Sequence, residues 1–317
     1  MRGVTDYLPL AVDQDPNSER NKEARRLRER IHTRQRCAFF CLCLLVPGAV
    51  ILAVQALWSS NRVAGEWKPE PRRDVPGWRH LHQEYVREAR EFSKDLQLVL
   101  YGDSLVESWR GTSRADPVSR AEGIPEVWNE KFGQFGKTAI ALGISGDYTK
   151  HLTWRLQHGE VADGMSPAVV VLLIGTNDLS ECELLLDDCS VDEIAPEVAQ
   201  HVVEAGELLH KLMPESRIVL HALLPRSSRF REVQDEPDEF YEQPSLFSSA
   251  ISTINEALME KAGGSDWASY LDCSDRFLTE DKSHIDRGLM PDGLHPGKEG
   301  AKEWAECLVP AIRDLMG

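Results

Sequence analysis

The sequence predicts an α/β domain built on a five-stranded parallel sheet with helices on both faces. Five short apolar runs recur along the chain, amphipathic stretches separate them, and three Gly- and Asp-bearing blocks fall just past the first three runs. Strand and helix in alternation imply a parallel sheet, because parallel neighbours need a crossover and the crossovers cover the faces. Ligands of such sheets sit at the carboxyl ends of the strands, which is where the three blocks lie.

The elements follow in order. Residues 1–36 are polar and charged and read as a cytosolic tail. Cys37 to Trp58 (CAFFCLCLLVPGAVILAVQALW) carries no charge over 22 positions. As a helix this run extends about 33 Å, enough for a hydrocarbon core of about 30 Å. Pro47-Gly48 in its middle is tolerated in a membrane span, and only Gln55 breaks its apolar character, so it lacks the polar stripe of a core helix. Eight Lys/Arg lie between Arg20 and Arg36 and four between Ser59 and Val75. That asymmetry predicts an uncleaved signal-anchor with the N-terminus cytosolic, hence a single-pass type II protein. The remainder then lies on the lumenal or extracellular side, in an endomembrane compartment such as the Golgi. A cleaved signal peptide is the competing reading, but it would need an unusually long charged region and too long an apolar one.

Residues 59–89 read as a linker and a leading helix, with helical pattern from His80 to Leu96, and 90–317 as the globular domain. Buried strands are expected at Leu96–Tyr101, Thr138–Ile144, Ala168–Ile174, Arg217–Leu223 and Trp267–Leu271. Amphipathic helices are expected at Ile194–Leu212, Leu246–Lys261 and Gly297–Leu315. Two long insertions, Ser180–Asp192 and Pro225–Pro244, exceed ordinary connections, and one of them is a candidate lid or acyl-pocket wall, with a plain surface loop as the alternative.

Charge excludes some functions. The net charge of −16 divides into +3 over residues 1–58 and −19 over the rest. So acidic a domain does not seek nucleic acid, and a neutral substrate is expected. The seven cysteines divide at the same boundary. Cys37, Cys41 and Cys43 sit at the start of the apolar run, where S-acylation is chemically possible. Cys182, Cys189, Cys273 and Cys307 fall in the predicted lumenal part, where disulfides form. Three pairings are open; Cys182–Cys189 would close a small loop beside the third block.

Four blocks carry the chemistry: Gly102-Asp103-Ser104, Ser145-Gly146-Asp147, Gly175-Thr176-Asn177-Asp178 and Asp292-Gly293-Leu294-His295. Ser104 is a weak nucleophile until a base takes its proton. His295 is the candidate base, because Asp292 stands three residues before it and can hold the ring tautomer and stabilise the imidazolium. An oxyanion needs donors aimed at developing charge, each worth about 3 kcal/mol. The backbone N–H groups of Ser104 and Gly146 and the side-chain amide of Asn177 are the candidates. Asp103 and Asp178 are expected to stabilise their own loops.

These motifs resemble the SGNH (GDSL-type) hydrolase family, whose name records the residues found here as Ser104, Gly146, Asn177 and His295. The likeness is greater to intracellular platelet-activating factor acetylhydrolase catalytic subunits. It rests on Gly143-Ile144-Ser145-Gly146-Asp147-Tyr148-Thr149 leading to Trp154-Arg155-Leu156, and on Leu223-Leu224-Pro225-Arg226. The resemblance spans about residues 90–315. It implies a three-layer α/β/α fold of flavodoxin type and serine esterase chemistry without metal or other cofactor.

The expected activity is therefore hydrolysis of short-chain, acetyl-type carboxylic esters of a lipid by a membrane-anchored enzyme. A glycan O-acetylesterase is the alternative, in which Trp109, Trp128, Tyr148 or Trp154 would stack on sugar. A silent binding protein on this fold is disfavoured by the intact set of four motifs. The expected partners are a small ester substrate and the membrane through residues 37–58, and no nucleic acid; oligomeric state is left open.

Overall fold

The computed structural model describes residues 67–73, 75–185, 189–228 and 237–317. The predicted tail and membrane anchor lie outside the described residues, as do Leu186 and Phe230 of the two insertions. Among the described residues no helix is long and apolar enough to cross a membrane.

Each of the five apolar runs forms a strand, the first reaching one residue past its run: β1 (Leu98–Gly102), β2 (Ala139–Gly143), β3 (Val169–Leu173), β4 (Arg217–His221) and β5 (Ala268–Leu271). They form one parallel sheet in the order β2-β1-β3-β4-β5. Every residue of β1 and β3 is buried, which explains why these runs are continuously apolar rather than alternating. Each such Val or Leu contributes about 2 kcal/mol by leaving water.

Register positions the site. Gly102 at the end of β1 lies opposite Gly143 of β2 on one side and Leu173 of β3 on the other. The three strands therefore end level, and their following loops emerge side by side. The strand order reverses direction at β1, so a crevice opens between the ends of β1 and β3.

The helices are α1 (Trp78–Phe92), α2 (Ser104–Glu107), α3 (Ile124–Phe132), α4 (Thr149–Arg155), α5 (Thr176–Leu185), α6 (Val191–Leu212), α7 (Ser248–Gly263) and α8 (Lys298–Met316). Helix α6 packs beside α4, α5 and α7, and α8 packs beside α3. These are the two helical layers that right-handed crossovers require for this strand order. Gly206 lets α6 approach the sheet, since a Cβ there would stand 2.8 Å from Leu220 Cδ2 of β4.

The folded body begins earlier than the expected boundary at residue 90. Lys68–Gly317 is one compact unit, because α1 buries Trp78, Leu81, Tyr85 and Ala89 in the common core. The supposed loop Ser180–Asp192 is also entered by α5. Of the three open disulfide pairings the structure has Cys182–Cys189 with Cys273–Cys307, at Cα separations of 5.4 and 5.9 Å. The second ties α8 to the segment that follows β5.

Candidate active site

The level ends of β1 and β2 leave no room for side chains. A Cβ on Gly143 would collide with the Asp103 carbonyl and the Glu107 amide. This is how the four-residue helix α2 lies directly across the sheet end with Ser104 as its first residue. Asp103 precedes it, and its Oδ1 accepts from the Leu105 amide at 3.0 Å.

The nucleophile and base candidates, 191 residues apart in sequence, meet: Ser104 Oγ lies 2.8 Å from His295 Nε2. His295 Nδ1 lies 2.8 Å from Asp292 Oδ2. The other Asp292 oxygen accepts from the backbone N–H groups of His295 and Leu294 at 2.7 and 2.9 Å. The carboxylate thus keeps the ring proton on Nδ1, and Nε2 is left to accept from the serine hydroxyl. Ser104, His295 and Asp292 are 6%, 6% and 7% exposed, so the three groups are largely shielded from bulk water.

Electrostatics suit this arrangement. Burial raises the Asp292 carboxyl, but His295 and the donated N–H groups outweigh it and hold the group below its ordinary value. Burial lowers His295, Asp292 opposes, and the positive charges of Arg120 and Arg226 lower it further. The imidazole is accordingly neutral and basic at physiological pH, as a general base must be.

The oxyanion candidates sit on neighbouring loops. Gly146 has φ +80°, a conformation side chains rarely adopt. Asn177 Nδ2 donates to the Asp147 carbonyl at 3.0 Å and to Asp103 Oδ2 at 3.3 Å. It therefore joins all three loops. Asp178 acts across loops rather than within its own, accepting from the Thr149 amide and hydroxyl at the start of α4. Burial pushes the carboxyls of Asp103 and Asp147 up to about 7.

Several buried groups that motif reading did not assign hold this assembly. Glu107 of α2 is fully buried and accepts four hydrogen bonds. Two come from Ser145 N and Oγ at 2.7 and 2.6 Å, and two from Thr112 Oγ1 and Ala115 N at 2.9 and 3.0 Å. Arg155 is also fully buried. It donates to the carbonyls of Gly102 and Leu142, to Asp147 Oδ2 at 3.0 Å and to Glu160. Trp78 Nε1 donates to Asp147 Oδ1 at 2.7 Å. Arg226 donates to Thr176 O and Ser180 Oγ, fixing the start of α5. Arg155 and Arg226, which the resemblance marks, thus hold the loop ends around the site.

The insertion Pro225–Pro244 braces the acid–base loop. Ser227 N donates to Gly293 O at 2.8 Å, and Tyr241 Oη donates to Pro291 O at 2.6 Å. Of the candidate sugar-stacking tryptophans, Trp109 is buried and Trp128 and Trp154 are half-buried, each packed against other aromatic rings. Trp109 is buried against Trp128, Phe132 and Trp304, and Trp154 stacks among Trp78, His82 and His158. Tyr148 remains half-exposed and lies on the His151 ring.

Comparison with known proteins agrees with this geometry. Residues 100–303 match the GDSL-like Lipase/Acylhydrolase family. Platelet-activating factor acetylhydrolase IB subunit alpha1 of Rattus norvegicus is 29% identical over 238 residues, covering 74% of this chain and 82% of that protein. A Drosophila melanogaster homolog of the IB subunit beta is 25% identical over 196 residues, covering 61% of this chain and 74% of its own. Among solved structures, a Streptococcus pneumonia protein assigned as a platelet activating factor superposes with TM-score 0.53 at 19% identity, over 83% of this chain and 99% of that one. A Bacteroides fragilis protein assigned as an acylhydrolase gives TM-score 0.53 at 19% identity, over 74% of this chain and 97% of its own.

Proposed function

This chain belongs to the GDSL-like lipase/acylhydrolase family and is a carboxylic ester hydrolase, and we propose that it removes short, acetyl-type acyl groups from a lipid through Ser104, His295 and Asp292. The carrying observation is the continuous hydrogen-bonded chain from Ser104 Oγ through His295 to Asp292. In the acylation step Ser104 Oγ attacks the ester carbonyl while His295 Nε2 takes the hydroxyl proton. Asp292 stabilises the imidazolium without accepting that proton. The N–H groups of Ser104 and Gly146 and the Asn177 amide hold the negative oxygen of the tetrahedral intermediate. Collapse expels the alcohol, which takes the proton from His295. A water, deprotonated by the same imidazole, then releases the acid and frees Ser104.

The lipid reading is supported by relatives named as platelet-activating factor acetylhydrolase subunits. An anchor at Cys37–Trp58 would hold such an enzyme, domain outward from the cytosol, beside a membrane-borne ester. The glycan reading loses the support of Trp109, which is buried in internal aromatic packing.

The test is acid release by the full chain in detergent. It would be offered an acyl-length series of phospholipids and an acetylated oligosaccharide, with Ser104→Ala as blank. Acetyl-phospholipid turnover that vanishes in Ser104→Ala, together with loss of fluorophosphonate labelling, is the expected result. Preference for the oligosaccharide would replace the lipid by a glycan. Turnover retained by Ser104→Ala would remove Ser104 from the chemistry altogether.

A further inference from the structure

The segment just before α1 reaches the oxyanion loop. Arg72 Nη1 donates to the Ser145 carbonyl at 3.2 Å and lies 4.0 Å from Asp147 Oδ1. A Cβ on Gly146 would stand 2.7 Å from the same Nη1, so the guanidinium occupies the space that only glycine leaves open. The segment is secured independently at Glu70. Its amide donates to the Lys150 carbonyl at 3.4 Å, and its carboxylate pairs with Lys150 Nζ at 3.1 Å.

We propose that Arg72 is a positioning residue that sets the direction of the Gly146 N–H, and so completes the oxyanion hole from outside the α/β core. The inference rests on the reading of Gly146 as an oxyanion donor. The argument is covalent geometry. In a planar trans peptide the carbonyl of one residue and the N–H of the next point in opposite directions. Holding the Ser145 oxygen therefore holds the Gly146 hydrogen, on the far side of the same plane. Glu107 fixes the preceding peptide by accepting from Ser145 N, but it makes no bond to the Ser145 carbonyl. Gly146, at φ +80° and without a side chain, offers little resistance to a flip of that plane. Arg72 supplies the resistance through its bond to the Ser145 carbonyl.

The test compares the full chain in detergent with Arg72→Ala, Arg72→Lys and Glu70→Ala on p-nitrophenyl acetate. Loss of a single oxyanion donor sets the scale, so Arg72→Ala is expected to lower kcat about 10–100-fold with KM within about threefold. Arg72→Lys should recover part of kcat, because its ammonium can reach the same carbonyl, and added guanidinium should partly rescue Arg72→Ala. Glu70→Ala, which loosens the segment without touching the loop, should give a smaller loss of the same kind. Arg72→Ala within twofold of the parent would overturn the proposal. So would a loss that follows the folded fraction in a thermal melt and is not relieved by Lys or guanidinium. Ser104→Ala in the same assay separates the two readings. If it is inactive while Arg72→Ala is fully active, only the role of Arg72 falls; if it is active, the reading of the site falls.

Discussion

His295 titrates under opposing influences, and the balance makes a prediction. Burial, Arg120 and Arg226 disfavour the imidazolium, whereas Asp292 favours it. Only the neutral ring accepts the Ser104 proton. kcat/KM should therefore rise with pH along a limb lying below 6.5, the ordinary histidine value. Asp292→Asn removes the charge that favours the imidazolium, so the limb should move to still lower pH. The rate on the plateau should fall about 10²–10⁴-fold. A pH–rate profile of both proteins checks the sign; a limb that moves upward would contradict this account. Asn177→Ala should lower kcat by about 10²–10³, and a change confined to KM would show that its amide does not meet the oxyanion. Ser104, Gly146, Asn177, Asp292 and His295 were legible individually because each stands in a short motif. Glu107 and Arg72 were not, because each acts on a partner 38 or 73 residues away in sequence and neither carries a local pattern; Arg155 was marked only by the resemblance, and its bond to the Gly102 carbonyl spans 53 residues.

Among the elements, the decisive pair is α2 and the loop after β2, joined by Glu107. Glu107→Gln keeps the shape but turns one acceptor oxygen into a donor facing other donors. It should destabilise the fold by about 2–3 kcal/mol and reduce kcat through the oxyanion loop with KM nearly unchanged. Denaturant unfolding and steady-state kinetics on one preparation measure both, and unchanged stability would remove Glu107 from this role. All five strands were readable because buried parallel strands are continuous apolar runs. Helix α2 was not, since four residues are too few to show a helical period. Helix α5 was hidden for another reason: it begins inside a motif, at Thr176, and enters a segment that reads as an insertion.

For the molecule as a whole, the Cys273–Cys307 bond closes a separation of 34 residues between the last strand and the last helix. Replacing both cysteines by serine should cost about 3–4 kcal/mol by loop entropy, visible as a lower melting temperature. The same cysteines test the compartment. On a lumenal or extracellular domain, Cys182, Cys189, Cys273 and Cys307 should resist alkylation until a reductant is added; free thiols in the native protein would argue against that side of the membrane. The sequence by itself determined the parallel α/β class, the order of its strands along the chain and the short motifs whose side chains the fold gathers. Those properties are written in apolar period and in short motifs, both local. Tertiary structure alone decided the strand order across the sheet, the level ends that bring three motifs together, the meeting of the fourth with Ser104, the disulfide partners and the buried ion network beneath the site. These depend on which distant segments meet, and one-dimensional spacing does not encode the distance between residues far apart in the chain.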